Sequence, residues 1–341
     1  MKKNLSVSVV GTGYFSKFHF DAWRRLNVDV RGVCSLEKET ADEISEKFTN
    51  CRSFSNVAEM LKETRPSFVD LVIPPANQLE TIKIALEYKI PIICQKPFTN
   101  SLEEAKEVVE MADAMNVPII VHENFRFQPW HIEIKKLIEA GTIGAPFQVS
   151  FRMRPGDGQG PDAYLSRQPY FQKMEKFLIR ETAIHIIDVF RFYFGEIDSV
   201  LADLVNLNSN ILGEDSGIVI FKFKNGVRGL FDGNRLADHI AEDRRRTIGD
   251  MLVEGSNGCL RLNGDGEIYF RAFGKNNEKK INYKWQNIGF AGDSVFTFQK
   301  QVVKSMLENQ RMENTASEYL ENLRIEEAIY ISSKTGKRES I

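Results

Sequence analysis

The sequence predicts an α/β protein in two parts, a doubly wound parallel sheet followed by an α+β domain with a mostly antiparallel, open sheet. Three observations carry this. Short apolar runs alternate with amphipathic stretches over the first third of the chain, and a two-glycine turn follows the first run. Beyond residue 124 the pattern changes to alternating strands joined by Asn-Gly and Asp-Gly turns.

Leu5 to Val10 reads as the opening strand, Gly11-Thr-Gly13 as its turn, and the stretch through Leu26 as the first helix. A strand at Val28 to Cys34, a helix from Glu37 to Phe48 and a buried strand at Phe68 to Ile73 follow, the last broken by Pro74-Pro75. A helix from Leu79 to Glu87 leads to the strand Ile90 to Cys94 and to Lys96-Pro97. Ser101 and Glu104 have capping-box spacing and place a helix start at Ser101. Val117 to Val121 is the last strand of this half, giving expected domains of 1–123 and 124–341. In the second domain Trp130 to Ala140 reads as a helix ended by Gly141, and Phe147 to Met153 alternates as a half-buried strand. A loop rich in Gly, Pro and Asp spans Pro155 to Asp162. Lys224-Asn-Gly226 and Asn263-Gly-Asp-Gly266 are hairpin turns, because these residues tolerate positive φ. Two closing helices, Ser294 to Glu308 and Ala316 to Ser333, are free to pack back on the first domain.

Composition narrows the class. The 341 residues are 42% hydrophobic and 27% charged, enough apolar material for two cores. A net charge of -2 with no basic face argues against nucleic acid. The run Asp243-Arg-Arg-Arg246 reads as a solvated turn or a subunit contact. The four cysteines form no Cys-x-x-Cys pair, so neither a zinc site nor a disulfide framework is expected. Without an apolar leader or a run of ~18 apolar residues, the chain is expected to be cytoplasmic with no membrane partner.

Gly11-Thr-Gly13-Tyr-Phe-Ser16 lies between a strand and a helix, where the glycines allow a tight turn and close backbone approach to a pyrophosphate at the helix N-terminus. Ser16 stands at the usual third glycine. The ribose-binding acid expected after the second strand falls at Ser35. Glu37 is the nearest carboxylate, and Lys38 offers a cation to a 2′-phosphate, so NAD and NADP both stay open with NAD ahead. Lys96 ends a strand at the carboxyl edge of the sheet, where ligands of open α/β sheets bind. In the segment 180–195 a helix puts Glu181 and His185 on one face with Asp188, among Ile184, Ile187, Phe190 and Phe194. A carboxylate and an imidazole on so apolar a helix need a reason, since burying an unpartnered polar group costs ~2–7 kcal/mol.

Gly11-x-Gly13, Pro74-Pro75, Gln95-Lys96-Pro97, Asn124-Phe-Arg-Phe127, Glu181-x-x-x-His185-x-x-Asp188 and the closing Glu326-Glu-Ala-Ile-Tyr-x-Ser-Ser333 together resemble the glucose-fructose oxidoreductase/inositol dehydrogenase family, Gfo/Idh/MocA, over nearly the whole chain. The resemblance implies a Rossmann domain binding NAD or NADP, and a second domain supplying the substrate site and oligomer contacts. It implies catalytic roles for Lys96, His185 and Glu181, and places Gly11, Gly13, Tyr14, Phe15, Ser35, Pro74, Asn77, Gln95 and Lys96 around the cofactor. Three positions depart from the family pattern: Gln95 for Glu, Glu181 for Asp, and Gln78 near the usual His.

The expected reaction is reversible hydride transfer between nicotinamide and a secondary alcohol of a sugar, cyclitol or sugar acid. His185 takes the hydroxyl proton, Lys96 hydrogen-bonds the same oxygen, Glu181 orients the imidazole or a neighbouring hydroxyl, and no metal is needed. Arg126, Tyr164, Gln168 and Arg180 are the expected substrate contacts, against the alternative that the arginines are structural ion-pair partners and the 156–162 loop a solvated connector. A homodimer or homotetramer is expected from apolar strand faces such as Val219, Phe221 and Phe223. The alternatives are a lyase or glycosidase that retains its cofactor, and a nucleotide-binding sensor without turnover.

Overall fold

The computed structural model describes residues 5–341, which divide into two compact units. One comprises residues up to Asn124 together with Val295–Glu321; the other comprises Phe125–Ser294 and Asn322–Ile341.

The first unit alternates β1 (Ser6–Val10), α1 (Ser16–Arg25), β2 (Asp29–Cys34), α2 (Lys38–Ser45), β3 (Arg52–Phe54), α3 (Val57–Thr64), β4 (Phe68–Leu71), α4 (Gln78–Glu87), β5 (Ile92–Gln95), α5 (Leu102–Met115) and β6 (Ile119–His122). The six strands are all parallel, in the order β3-β2-β1-β4-β5-β6. β1, β4, β5 and β6 are buried at every residue, so that the polar side chains they carry, Ser6, Ser8, Asp70, Gln95 and His122, are buried with them. Strand order reverses between β1 and β4, so their carboxyl ends form the switch point at which such sheets bind ligands. Ser101 caps α5 as expected, its hydroxyl accepting the Glu104 N–H at 3.1 Å. Two elements escape the sequence reading. β3 is three residues long and too short to show a period, while α3 carries a signal of its own, the Asn56 side chain accepting the Glu59 N–H at 2.9 Å.

The second unit contains α6 (Pro129–Glu139), β7 (Pro146–Met153), a π-helical turn over Leu178–Ala183, α7 (Ile184–Phe194), β8 (Ile197–Val205), β9 (Ser216–Phe223), β10 (Arg228–Asn234), β11 (Gly249–Gly255), β12 (Gly258–Leu262), β13 (Ile268–Ala272) and β14 (Lys279–Lys280). α8 (Ser294–Glu308), α9 (Ala316–Thr335) and β15 (Glu339–Ser340) follow. The nine strands run β14-β13-β12-β11-β7-β10-β9-β8-β15, antiparallel except for the β7/β10 pair. Gly226 at the predicted β9–β10 turn has φ +90°.

α8 belongs with the first unit, where Phe298 meets the His122 ring at 4.2 Å. The segment after it is tied down by Val121 N–H donating to Asn314 O at 2.8 Å and the Asn314 amide donating to Glu123 O at 2.9 Å.

One expectation about the second sheet is corrected. Val219, Phe221 and Phe223 are fully buried, Phe221 and Phe223 packing edge-on against Phe190 and Phe194 of α7. Successive strand residues face opposite ways, so the open face is instead the set one residue out of step, including Ile218 and Ile220. Among the described residues no helix is long and apolar enough to cross a membrane, and no group of three His, Cys, Asp or Glu is arranged to hold a metal ion.

Candidate active site

The two turn glycines have different constraints. Gly11 has φ +105°, donates its N–H to Cys34 O at 2.8 Å, and would put a Cβ 2.2 Å from Val72 O. The fold itself therefore requires glycine at 11. A Cβ on Gly13 would meet nothing within 4 Å, so that glycine leaves open space above the turn. No side chain caps α1 at Phe15, and within its first turn Ser16 N–H donates to Gly13 O at 3.0 Å and Phe18 N–H to Phe15 O at 3.1 Å. Ser16, at the third-glycine position, is buried and turns its hydroxyl back onto Gly13 O at 2.8 Å. A diphosphate fits this cradle.

Ser35 follows β2 directly and shares hydroxyl hydrogen bonds with Thr12 (2.8 Å) and Thr40 (3.1 Å), a neutral patch suited to a ribose diol. The Lys38 ammonium lies 2.9 Å from both Asp42 and Ser53. Pro74 and Asn77 lie exposed just past the end of β4, and Tyr14 is exposed on the first turn after Gly13.

Around Lys96 the chain is held from beneath. The Gln78 amide, fully buried, donates to Gln95 O at 2.9 Å and Pro97 O at 3.0 Å and accepts the Thr99 N–H at 2.7 Å. The Gln95 side chain accepts the Lys96 backbone N–H at 2.8 Å and meets His19 Nε2 at 3.0 Å. His19 Nδ1 and Trp23 Nε1 both lie 2.8 Å from the same oxygen of Asp70. His19, Trp23 and Asp70, all wholly buried, went unremarked in the sequence. Their signals were faint: a histidine one helical turn before a tryptophan, and an aspartate inside the apolar strand β4.

In the second unit the expected regular helix through Glu181 and His185 is corrected. Leu178–Ala183 is a π-helical turn, and the α-helix begins only at Ile184. A π-turn inserts about one residue per turn and re-aims the side chains on it, a device common at functional sites. Distant groups hold it. The Glu214 carboxylate accepts the Phe177 and Ile179 N–H groups at 3.1–3.2 Å. Arg180 is paired with the buried Glu326 at 2.8 Å. Arg235 of the segment after β10 donates to Thr182 Oγ1 at 2.7 Å and lies 3.5 Å from Glu181. Thr182 in turn donates to the Glu181 carboxylate. His185, beyond the turn, is buried with its ring flat on Phe125, centroids 3.8 Å apart and planes 6° from parallel.

Arg235 is the main residue the sequence reading missed. It is buried against the rings of Phe177, Tyr164 and Phe171 and lies 3.2 Å from Asp157. Burial works against its charge, yet Asp157, Tyr164 and Glu181 outweigh that and raise its pKa above the ordinary arginine value. The anchor thus stays cationic, and it ties the Asp157 loop to the turn carrying Glu181. Tyr164, expected to touch substrate, is instead buried with its hydroxyl bonded to Arg235 (2.8 Å) and Asp157 (3.0 Å). Gln168 is partly exposed and bonds the Tyr170 hydroxyl at 3.1 Å. Arg126 forms a two-pronged pair with Asp188 at 2.5 and 2.7 Å, so Asp188 serves that pair, and Asn322 at 3.0 Å, rather than continuing a catalytic stripe. Of the Asp243–Arg246 run, Arg246 is buried, paired with Asp265 at 3.2 Å and set over Trp285, while the rest is exposed in keeping with a solvated turn.

Comparison with known proteins agrees with this geometry. The model of an oxidoreductase family with an NAD-binding Rossmann fold matches residues 5–123, and that of the GFO/IDH/MocA C-terminal domain matches residues 131–260. The chain belongs to the GFO/IDH/MocA oxidoreductase family. As a member of it, the chain is an enzyme with an NAD-binding Rossmann domain. D-apiose dehydrogenase of Paraburkholderia graminis is 28% identical over 98% of this chain and 89% of its own length. Inositol 2-dehydrogenase of Mycolicibacterium smegmatis is 28% identical over 57% of this chain and 54% of its own. An oxidoreductase from Agrobacterium radiobacter, solved in complex with NAD+, L-tartaric acid and magnesium, shares the fold with a TM-score of 0.88 at 24% identity, covering 99% of this chain and 98% of that one.

Proposed function

We propose that this GFO/IDH/MocA enzyme oxidises a secondary alcohol of a neutral sugar or cyclitol, with NAD rather than NADP. His185 is the acid/base, Lys96 a hydrogen-bond donor to substrate, and Glu181 a hydrogen-bond acceptor for a substrate hydroxyl. The observation that carries this is the clamped His185 ring, since an imidazole held flat against Phe125 just beyond a π-turn is oriented for proton transfer in both directions. The bound nicotinamide supplies the hydride acceptor or donor. His185 takes the hydroxyl proton as the alcohol becomes a carbonyl and returns it in reverse. Glu181, 3.5 Å from Arg235 and accepting the Thr182 hydroxyl, is placed to accept a substrate hydroxyl hydrogen as well.

Two further choices rest on charge. Arg126, Arg154 and Arg180 each face a carboxylate of the chain itself, Asp188, Asp232 and Glu326, which favours an uncharged polyol over a sugar acid. Lys38 occupied by Asp42 and the hydroxyl patch at Ser35 favour NAD over NADP. A screen of absorbance at the reduced-nicotinamide band, with both cofactors against sugars, inositols and sugar acids, tests all of this. Reduction of neither cofactor by any polyol refutes the reading. Substrate turnover without net reduction favours a lyase or glycosidase that recycles its cofactor.

For assembly we propose a cytoplasmic homo-oligomer formed through the open face of the nine-stranded sheet. Leu201, Ile220, Leu230, Ser150 and Leu252 lie side by side across five strands on that face, all at least partly exposed. On one side runs the row Asp203, Ile218, Asp232, Arg152 and Asp250, and on the other Lys222, Arg228, Gln148 and Glu254. A two-fold axis through the apolar row sets the acid-rich row of one copy against the more basic row of the other. Light scattering at micromolar concentration is expected to give a dimer or tetramer, and Ile220→Asp to shift it toward monomer. A monomeric wild type overturns the interface.

A further inference from the structure

The buried polar chain behind Lys96 fixes its own protonation pattern. Gln95 Oε1 is committed to the Lys96 N–H, so the atom that meets His19 Nε2 at 3.0 Å is the Gln95 amide nitrogen. That nitrogen can only donate, and His19 Nε2 must therefore accept. The ring hydrogen sits on Nδ1 and points to Asp70 Oδ2 at 2.8 Å, an oxygen that also accepts the Trp23 indole N–H at 2.8 Å. All four side chains are buried, so no solvent rearranges the pattern.

We propose that Gln95 is a positioning residue whose amide does two things at once: it locks His19 as the neutral Nδ1–H tautomer, and with Gln78 it fixes the main chain that presents Lys96. A carboxylate at 95 accepts the Lys96 N–H equally well but cannot donate to His19. Nε2 then has to carry a proton, and His19 becomes an imidazolium between two carboxylates. The amide thus holds the His19 ring and the Lys96 main chain in one fixed donor–acceptor pattern. The other titratable groups facing it are few. His122 on β6 lies against the His19 ring at 4.2 Å, and the Cys94 thiol on β5 is pushed well up by burial and then by Asp70, so it stays neutral. Lys96 itself adjoins through its backbone.

That Lys96 acts on substrate rests on the function proposed above, whereas the state of His19 does not and is read with neither substrate nor turnover. Long-range 1H–15N spectra of the full chain, with His19 assigned by its loss in His19→Gln, are expected to show one protonated Nδ1 and one acceptor Nε2. Gln95→Glu is expected to convert both His19 nitrogens to the protonated type near neutral pH. A wild-type His19 that carries its hydrogen on Nε2 overturns the proposal whether or not the variant folds. So does a folded Gln95→Glu in which His19 stays neutral. For the positioning half, Gln95→Met keeps the bulk and loses both hydrogen bonds. Turnover is expected to fall roughly tenfold with NAD+ affinity held within about threefold, the scale of one or two lost buried hydrogen bonds. Undiminished turnover in a folded Gln95→Met refutes that half while leaving the tautomer intact.

Discussion

His185→Ala is expected to lower turnover on the substrate found by the polyol screen roughly 10²–10⁴-fold, the usual contribution of one positioned proton-transfer group. NAD+ affinity should hardly change, because the proposed role of His185 is proton transfer and the glycine turn that would hold the diphosphate is untouched. The pH profile of turnover should lose its limb in the imidazole range. Phe125→Leu makes a graded companion. It removes the surface against which the ring lies flat at 3.8 Å, loosens the imidazole without deleting it, and should cost less than His185→Ala. Steady-state rates, NAD+ calorimetry and thermal unfolding on the same preparations separate lost chemistry from lost folding. Undiminished turnover in His185→Ala would show that the ring is a core feature stacked on Phe125 and that the proton leaves by another route.

How far the sequence speaks depends on how local each signal is. The glycine turn, the Ser101 cap and the position of Lys96 were legible because each is written in a few consecutive residues whose backbone requirements are strict. The strand faces were legible only up to a choice of one residue. Val219, Phe221 and Phe223 announce an apolar face but not whether the chain's own helices cover it, and Ile218 and Ile220 make the other face apolar too. The π-turn was invisible because Ile184, Ile187, Phe190 and Phe194 keep a helical period after it, and nothing in that period records the extra residue before it. What sets the turn comes from far away in sequence: Glu214, Arg235 and Glu326, each more than 30 residues on. The same holds for Arg126 and Arg180, whose charges read as substrate contacts until Asp188 and Glu326 were found opposite them. Gln95, finally, reads in the sequence only as a departure from the family's Glu. Only the packing of α1 against β4 and β5 shows it to be one link between His19 and the Lys96 main chain.

The two glycines of the nucleotide turn give the other large effect, and the structure assigns them opposite consequences. Gly13→Val is expected to weaken NAD+ binding by two orders of magnitude or more, roughly, while thermal stability stays close to wild type. Its Cβ meets no protein atom within 4 Å, so the added bulk enters the open space that a diphosphate would need. Gly11→Val should instead cost stability outright. Its Cβ would lie 2.2 Å from Val72 O at a φ of +105°, so β1, β4 or the turn must shift, and any loss of binding follows from that damage. Calorimetric titration with NAD+ and NADP+ beside a thermal melt distinguishes the two, since only the Gly13 variant should lose affinity with its melting temperature intact. A folded Gly13→Val that binds both dinucleotides as the wild type does would remove the diphosphate from this turn. The open space above Gly13 would then be a feature of the strand-to-helix turn alone.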